Sequence, residues 1–362
     1  MFRILITDAN YKHSIAIQRN LREAFPDIHL TGHQEAGLPL ARFYPYLNCL
    51  IRNTSLELLL KTKSFDMVIP IGGESVLTVA STCPALALLA SQESLDICFS
   101  KSRTMELAAR LNIPYPDYAI VRSTQDVEEC RIEFPCVLKS TFETVKFGVY
   151  YANNRDEFQK HALNLLKNSA NAAKCGILVQ KYISGTGCGF FALYRDGKPL
   201  RVFMHKRIRE YPVTGGPSTA AKSFYAEDLK DYGLKILNAL KWNGVAMVEF
   251  KHDERNNSFV LMEINAKFWG STELALRAGV NFGADIVRAY RHENLVYSED
   301  YNRNLCFYWP LDGDLLCLWR TRQFAKIRDY RKPNAATNLC QSWRADAWKM
   351  LKLVGKIMLG KS

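Results

Sequence analysis

Two apolar runs near the middle of the chain, separated by a short polar break, constrain the fold most strongly. The runs cover residues 246–251 and 259–267, and both are typical of β-strands. The break, residues 253–258, has the composition of a hairpin turn. Folding the hairpin about Asn256 places Glu249 opposite Glu263.

The predicted hairpin gathers polar side chains on one face. Because side chains alternate along a strand, this face carries Glu249, Glu263, Asn265 and Lys267. Two opposed carboxylates destabilise a sheet unless one is protonated or a cation binds. Three hard oxygen donors suit Mg²⁺ or Mn²⁺ better than zinc, so Glu249, Glu263 and Asn265 are the predicted metal ligands. The alternative is a solvated face with two unrelated acids.

The composition is that of an ordinary globular protein: 362 residues, 48% hydrophobic and 23% charged, enough for two or three domains. The first strand begins almost at the N-terminus, in a segment too quickly polar for a signal peptide, and no apolar run is long enough to span a bilayer. Ten cysteines without a C-x-x-C pair predict reduced thiols, so a cytoplasmic location is expected.

The positive charge is concentrated at the C-terminal end. Of the net charge of +12, residues 319–362 carry +9, from eleven Lys and Arg and two acids. The rest of the chain lacks basic stripes with interleaved aromatic residues, so nucleic-acid binding is not expected.

Strand and helix signals alternate over the first 98 residues. Strands are predicted at 4–7 and 65–70 and a helix at 14–25, a pattern typical of a parallel sheet covered on both faces. Ligands of such sheets bind at the carboxyl ends of strands, where Asp8, Asn10 and residues 72–74 are candidates. They are equally consistent with ordinary loops.

Later segments predict two further units. Residues 99–176 contain a helix at 101–112 and a strand at 136–139. Residues 177–295 begin with a strand at 177–180, followed by strands at 190–194 and 200–206, a helix at 229–241, the acidic hairpin and helical spacing over 272–290. Residues 296–362 form a basic extension.

In this order the segments resemble the ATP-grasp superfamily, specifically the carbamoyl-phosphate synthetase large-subunit branch and its stand-alone carboxylate–amine ligase relatives. The resemblance covers roughly residues 1–295. Five motifs carry it: KSRT at 101–104, PCVLK at 135–139, VQKYISG at 179–185, HKRIREYP at 205–212 with TGGPS at 214–218, and MEINAKFWGS at 262–271.

The resemblance implies an α/β ATP-grasp fold: a Rossmann-like pre-ATP-grasp domain (1–98), a central subdomain (99–176), a catalytic subdomain that holds the metal (177–295) and a basic helical extension (296–362). It implies an ADP-forming ligase that activates a carboxylate as an acyl phosphate for attack by an amine or similar nucleophile, such as a thiol. The expected cofactors are ATP and Mg²⁺ (or Mn²⁺). A carrier-bound substrate and a homo-oligomer stay open, and the alternative is a non-catalytic or degenerate ATP-binding regulatory or scaffold module.

The resemblance also implies roles for individual residues. Lys101 and Lys139 would contact the α- and β-phosphates, with help from Lys146. The adenine hinge would be Gln180, Lys181, Tyr182 and Ile183, with backbone groups of Lys181 and Ile183 on the base. Lys267, Lys206 and Arg207 would act on the acyl phosphate. Gly215 and Gly216 would form an anion-binding nest, unless they make a plain turn.

Two departures from the family pattern favour the alternative, a non-catalytic or degenerate ATP-binding module. The loop over residues 140–148 is usually glycine-rich, but here it has one glycine. An acid usually follows the hinge to bind the ribose, but Thr186 and Cys188 stand at the corresponding positions.

The basic extension ends in an apolar stripe at helical spacing, formed by Trp343, Ala347, Leu351, Val354 and Met358. Lysines 349, 352 and 356 lie to one side of it. A basic amphipathic helix can lie on an anionic membrane. The favoured interpretation is a helix packed on the core, because Trp343 and Leu351 are good core residues.

Overall fold

The computed structural model describes residues 1–142, 148–213 and 215–359, and its N-terminal part is a parallel α/β unit. The strands are β1 (Arg3–Ile6), β2 (His29–Gln34), β3 (Cys49–Arg52) and β4 (Met67–Ile69); the helices are α1 (Lys12–Ala24), α2 (Leu56–Thr62), α3 (Gly73–Thr82) and α4 (Gln92–Phe99), with 3₁₀ turns at Leu40–Phe43 and Pro84–Leu86. The strand order is β3-β2-β1-β4, all parallel. The predicted parallel sheet is confirmed.

The central unit is a small antiparallel sheet with helices. Its elements are α5 (Lys101–Arg110), β5 (Tyr118–Val121), α6 (Thr124–Glu129), β6 (Cys136–Ser140), β7 (Tyr150–Ala152), α7 (Arg155–Asn168), α8 (Ala170–Cys175) and β8 (Ile177–Lys181). The sheet order is β5-β8-β6-β7. The predicted boundary at 176/177 therefore falls one strand too early, since β8 packs Ile177 and Val179 into this unit's core. An apolar strand does not itself indicate which sheet it joins.

A seven-stranded sheet forms the third unit, in the order β13-β12-β9-β10-β11-β14-β15. The strands are β9 (Thr186–Arg195), β10 (Lys198–Glu210), β11 (Ser218–Ser223), β12 (Gly244–Asp253), β13 (Ser258–Asn265), β14 (Cys306–Tyr308) and β15 (Ala335–Thr337). The helices are α9 (Glu227–Ala239), α10 (Thr272–Arg277), α11 (Phe282–Tyr290), α12 (Asp314–Arg320) and α13 (Trp343–Met358), with 3₁₀ segments Pro310–Asp312 and Phe324–Arg331. Residues 296–362 thus contribute two strands to this sheet.

The helical spacing predicted over 272–290 resolves into two helices. Gly279 separates them with a φ of +104°, a left-handed conformation that glycine adopts without a steric penalty. The break turns α11 back onto α1 of the N-terminal unit, with which it packs. Both α10 and α11 pack on α1.

The acidic hairpin forms as predicted, with one local difference. Near the turn the strands pair Asp253 with Ser258 and Phe250 with Leu261, half a residue away from a centre at Asn256. A β-bulge after Glu249 shifts the register by one residue and brings Glu249 opposite Glu263. The bulge therefore sets the acidic pair.

One apolar core joins the N-terminal unit to the seven-stranded sheet. It includes Ile4 and Ile6 of β1, Met247 of β12 and Trp269 after β13, all buried. This packing places the carboxyl edge of the parallel sheet beside the acidic hairpin. Among the described residues, no helix has the length and apolar character needed to cross a membrane.

Candidate active site

Glu249 and Glu263 face each other, and protein cations surround them. Nη2 of Arg207 donates to Oε1 of Glu249 at 2.6 Å, and Nζ of Lys101 lies 3.8 Å from Oε2 of Glu263. Burial raises the pKa of the Glu263 carboxyl, but Lys101 and Lys139 outweigh burial and hold that pKa below its ordinary value. Burial also raises the pKa of Glu249, with Arg207 opposing it, and that pKa stays above its ordinary value.

This arrangement corrects the argument that the paired acids require a proton or a metal ion. Arg207 and the lysines already supply positive charge. The donor set nevertheless fits Mg²⁺: two carboxylates and an amide, all hard oxygen ligands. The Nδ2 of Asn265 donates to Glu263 at 2.9 Å, so the oxygen is the atom of Asn265 that a metal ion would take. The Arg207 contact is to Oε1 of Glu249, so Oε2 is the oxygen of Glu249 that a metal ion would take.

Arg207 and Lys267 supply positive charge beside the acids. Arg207 also donates from Nη1 to Oε2 of Glu210 at 2.8 Å, which holds the guanidinium in place. Lys267 extends toward the N-terminus of α3, where a Cβ added to Gly73 would lie 3.7 Å from the Lys267 Nζ. Both residues line the same cavity as the predicted metal ligands.

Lys206 is a correction, because it does not share this face. Side chains alternate along β10, so Lys206 and the neighbouring Arg207 point to opposite sides of the sheet. Lys206 is exposed, and its Nζ lies 5.8 Å from the centre of the Phe224 ring. It lines a separate cavity of about 510 Å³ together with Cys188 and His252. A role on the acyl phosphate is therefore wrong for Lys206.

The Gly215–Gly216 pair forms a turn. The N–H of Gly216 donates to the carbonyl of Pro212 at 2.8 Å, so that amide is not available to an anion. The carbonyl of Gly216 accepts from Nη1 of Arg207 at 3.1 Å. The pair thus helps to position Arg207, and the nest interpretation is wrong for Gly216. Lys146 lies outside the described residues.

The hinge contains a buried amide with unused hydrogen-bonding capacity. Gln180 is 1% exposed, and neither Nε2 nor Oε1 has a partner among the described residues. Burying both groups unpaired is costly, so the geometry fits a ligand that offers a donor and an acceptor. The backbone N–H of Lys181, by contrast, donates to the carbonyl of Asp117 at 2.9 Å. That N–H is not free for a base edge, so the carbonyl is the backbone group of Lys181 that would pair with adenine in the predicted hinge.

The other hinge side chains have partners in the central unit and in the seven-stranded sheet. The Lys181 ammonium is paired with Glu133 at the surface, and Ile183 is buried. The Tyr182 ring lies 6.0 Å from that of Tyr151, edge to face. Nζ of Lys251 lies 5.1 Å from the centre of the Tyr182 ring. Sequence analysis missed Lys251, although alternation places it on the same face as Glu249, two residues away.

A cavity of about 630 Å³ connects the acidic hairpin with the N-terminal unit. The hairpin side contributes Arg207, Glu249, Glu263, Asn265 and Lys267; the N-terminal side contributes Asp8, Tyr11, His13 and residues 71–74. Asp8 and residues 72–74 thus lie where the edge of the parallel sheet predicted them. Asn10 does not line the cavity; its Nδ2 donates to the carbonyl of Leu38.

Asp8 was a candidate from the sequence, whereas His13 was not. Oδ2 of Asp8 accepts from the Gly72 amide at 2.9 Å and from Oγ of Ser75 at 2.7 Å, which fixes the start of α3. His13 was missed; it is the second residue of α1, the helix that follows β1. Burial, with the charges of Lys12 and Lys267, lowers the pKa of His13 to about 3. The imidazole is therefore neutral at pH 7.

Lys139→Ala is expected to weaken nucleotide binding more than Lys101→Ala. The Lys101 ammonium lies beside Glu263, whereas Lys139 extends from the end of β6 and affects the pKa of both acids. Loss of a charge-assisted contact to phosphate weakens affinity by about tenfold to a hundredfold. Titration calorimetry with a non-hydrolysable ATP analogue measures both variants; equal losses, or a larger loss for Lys101→Ala, would contradict this ranking.

The fold and the site define a class of protein. Solved structures with the same fold include N5-carboxyaminoimidazole synthetase from Staphylococcus aureus, 12% identical, with a TM-score of 0.70 over 89% of this chain and 86% of that chain. Another is the biotin carboxylase domain of the 2-oxoglutarate carboxylase from Hydrogenobacter thermophilus, solved with MgADP and bicarbonate, 16% identical, with a TM-score of 0.65 over 84% of this chain and 73% of that chain. The predicted ATP-grasp fold is confirmed.

The sequence itself matches a family described as "Carbamoyl-phosphate synthase L chain, ATP binding domain" over residues 101–290, more than half of the chain. The protein belongs to this family, and the predicted cofactors, ATP and Mg²⁺, are those of ATP-grasp enzymes. Curated relatives include the carbamoyl phosphate synthase large chain of Pyrococcus furiosus, 21% identical over 193 residues, and the D-alanine–D-alanine ligase of Wolbachia pipientis wMel, 25% identical over 203 residues. The matches cover 51% of this chain in both cases, and 18% and 62% of the two relatives.

Proposed function

We propose that the protein is an ADP-forming ligase that phosphorylates a carboxylate with ATP and joins the resulting acyl group to an amine. The observation that carries this proposal is the cavity of about 630 Å³. It brings three oxygen ligands for a metal ion together with Arg207 and Lys267, and it continues to an acidic wall at Asp8 and Glu74. One space thus offers places for nucleotide phosphates, an anionic acyl phosphate and an amine.

The hinge and two lysines support the proposed binding of ATP. Gln180 offers a donor and an acceptor side by side, which matches the donor and acceptor on an adenine edge. Lys139 and Lys101 lie near enough to Glu263 to lower its pKa, and they carry the charge that phosphates need. Glu249, Glu263 and Asn265 would hold Mg²⁺, which when bound neutralises charge on the β- and γ-phosphates.

Arg207 and Lys267 are suited to the group that is transferred. Phosphoryl transfer depends on positioning and on charge stabilisation, with little covalent help from the protein. The Arg207 guanidinium is held by Glu210 and Glu249, so its direction is set before substrate arrives. Lys267 carries a compact charge where the resemblance implies an arginine, so it lacks the bidentate fork.

The N-terminal wall supports an amine as the nucleophile. Asp8 and Glu74 attract an ammonium group, whereas Arg207, on the hairpin side of the cavity, repels it. His13 stays neutral, and a neutral imidazole has one nitrogen that accepts a hydrogen bond. The amine would therefore approach from the side of the N-terminal unit, opposite to the phosphates.

A coupled assay of ADP release tests this proposal. The protein is incubated with Mg²⁺, ATP and a panel of carboxylates, each with and without amines. ADP formation that depends on one carboxylate, with phosphate release completed by one amine, is the expected result. ATP binding without turnover on any pair would instead support the alternative, a non-catalytic ATP-binding module.

One observation favours that alternative. Cys188 stands at one of the two positions where an acid that binds the ribose is usual. It is buried, 4% exposed, and lies on the face of β9 opposite to Glu249 and Glu263. It cannot bind a ribose on the site face. A low affinity for the nucleotide would suit a module that senses ATP at high concentration.

Lys267→Met is expected to leave nucleotide affinity nearly unchanged and to reduce product formation about a hundredfold, as for an interaction made in the transition state. Lys267 lies past the metal ligands along the chain, toward α3. Calorimetry and product analysis measure the two effects. Lys206→Met, on the opposite face, is the matched control. A large loss of ATP affinity in Lys267→Met would place this lysine on the nucleotide.

A further inference from the structure

The C-terminal helix α13 is attached to the body through one narrow face. Ala345 is buried against Ile15 and Tyr44 of the N-terminal unit. Nζ of Lys349 lies 2.8 Å from Oδ2 of Asp312, and both side chains are largely buried. These contacts hold the helix in a defined orientation, with its opposite face directed outward.

The outward face is apolar and exposed. Trp343 is 75% exposed, Leu351 68% and Met358 80%, and Val354 and Ala347 lie between them, also exposed. These five residues form the stripe that the sequence indicated. The interpretation that the stripe packs on the core is wrong, because Ala345, Lys349 and Leu353 occupy the inner face instead.

Positive charge accompanies this exposed stripe. Residues 319–362 have a net charge of +9, against +12 for the whole chain. On α13 itself, Arg344 is exposed beside the stripe, seven residues before Leu351, whereas Lys352 is exposed on the side of the helix that carries Ala345. Apolar side chains flanked by cations suit a surface that is apolar inside and negatively charged outside. A second copy of this chain fits poorly, because it would bring two strongly basic segments together.

We propose that the outer face of α13 lies on an anionic lipid membrane, with Trp343, Leu351 and Met358 inserted among the lipids and Arg344 at the headgroups. The contact is peripheral, and it is independent of the ligase reaction proposed above. It would bring the active site close to substrates carried at a membrane surface.

Co-sedimentation of the full-length protein with vesicles tests this proposal. Vesicles of phosphatidylcholine with phosphatidylserine are compared with vesicles of phosphatidylcholine alone, at low and high salt. The protein is expected to pellet with the anionic vesicles. High salt should weaken binding, because the screening length falls from about 10 Å at 0.1 M to about 3 Å at 1 M.

Leu351→Glu is expected to weaken vesicle binding about tenfold or more, since it removes apolar contact and adds a negative charge. The matched control is Leu58→Glu, the same change at an exposed position of α2, 53% exposed. Both variants should keep the wild-type affinity for ATP and the wild-type melting temperature. Deletion of residues 341–362 is a poorer test, because it also removes the buried contacts of Ala345 and Lys349.

Three results would overturn the proposal. The first is wild-type protein that stays in solution with anionic vesicles. The second is equal binding by Leu351→Glu and Leu58→Glu, which would show that net charge alone acts. The third is a dimer, seen by analytical ultracentrifugation, that Leu351→Glu dissociates while vesicle binding is absent; the face would then belong to a second copy.

Discussion

Glu263→Gln is expected to abolish Mg²⁺-dependent ATP turnover, a loss of at least about a hundredfold to a thousandfold. Glu263 faces Glu249 across the hairpin and accepts a hydrogen bond from Nδ2 of Asn265. It is therefore next to both of the other proposed metal ligands. The substitution keeps the shape and removes the charge. Turnover is measured against Mg²⁺ concentration. Wild-type turnover in this variant would remove the metal assignment.

A second measurement on Glu263→Gln separates metal binding from catalysis. A ligand that binds the folded protein raises its melting temperature. Mg²⁺ with a non-hydrolysable ATP analogue should therefore raise the melting temperature of the wild type more than the analogue alone, and this increment should disappear in the variant. Glu254→Gln, in the exposed turn of the same hairpin, is the matched control and should retain both properties.

Asp314→Ala is expected to lower the free energy of unfolding by about 3 kcal/mol, the lower end of the cost of breaking a buried ion pair, because Nη1 of Arg209 keeps a 3.6 Å contact with Oδ2 of Asp329. Asp314 is 0% exposed and accepts from Nε and Nη2 of Arg209 at 2.8 and 2.7 Å. Tyr330 and Thr219 also donate to it, at 2.7 and 3.0 Å. This network attaches the C-terminal region to β10 and β11. Urea unfolding followed by tryptophan fluorescence measures the change.

The double variant Arg209→Met/Asp314→Leu isolates the cause. It removes both charges, so it should recover much of the stability that Asp314→Ala loses. Asp300→Ala, at an exposed position, should change stability little. If the double variant were as unstable as Asp314→Ala, loss of packing would explain the effect, and loss of the bidentate partner of Arg209 would not.

Much of the candidate site was predictable because it depends on local alternation. Glu263, Asn265 and Lys267 share a face because side chains alternate along a strand. Glu249 joins them because the β-bulge in the hairpin brings it opposite Glu263. The rule of alternation, applied to β10, would have separated Lys206 from Arg207. That error came from treating neighbours in sequence as neighbours on a surface.

Other parts of the site depend on contacts between distant segments. The sequence does not indicate that Arg207 of β10 reaches Glu249 of β12, 42 residues away. The same holds for Gln180, which is buried without a hydrogen-bond partner among the described residues. Such features depend on the order of strands in a sheet and on the packing around each strand, and periodicity along one strand does not record them.

The sequence by itself determined the family, the acidic hairpin and an amphipathic helix at the C-terminal end, since each depends on residues close together along the chain. Only the tertiary structure decided which sheet takes β8 and which face of α13 is outward. An apolar strand can pair with any free edge, and burial of Lys349 depends on Asp312, which a distant segment supplies. These choices rest on non-local contacts, and non-local contacts are set by packing of the whole chain.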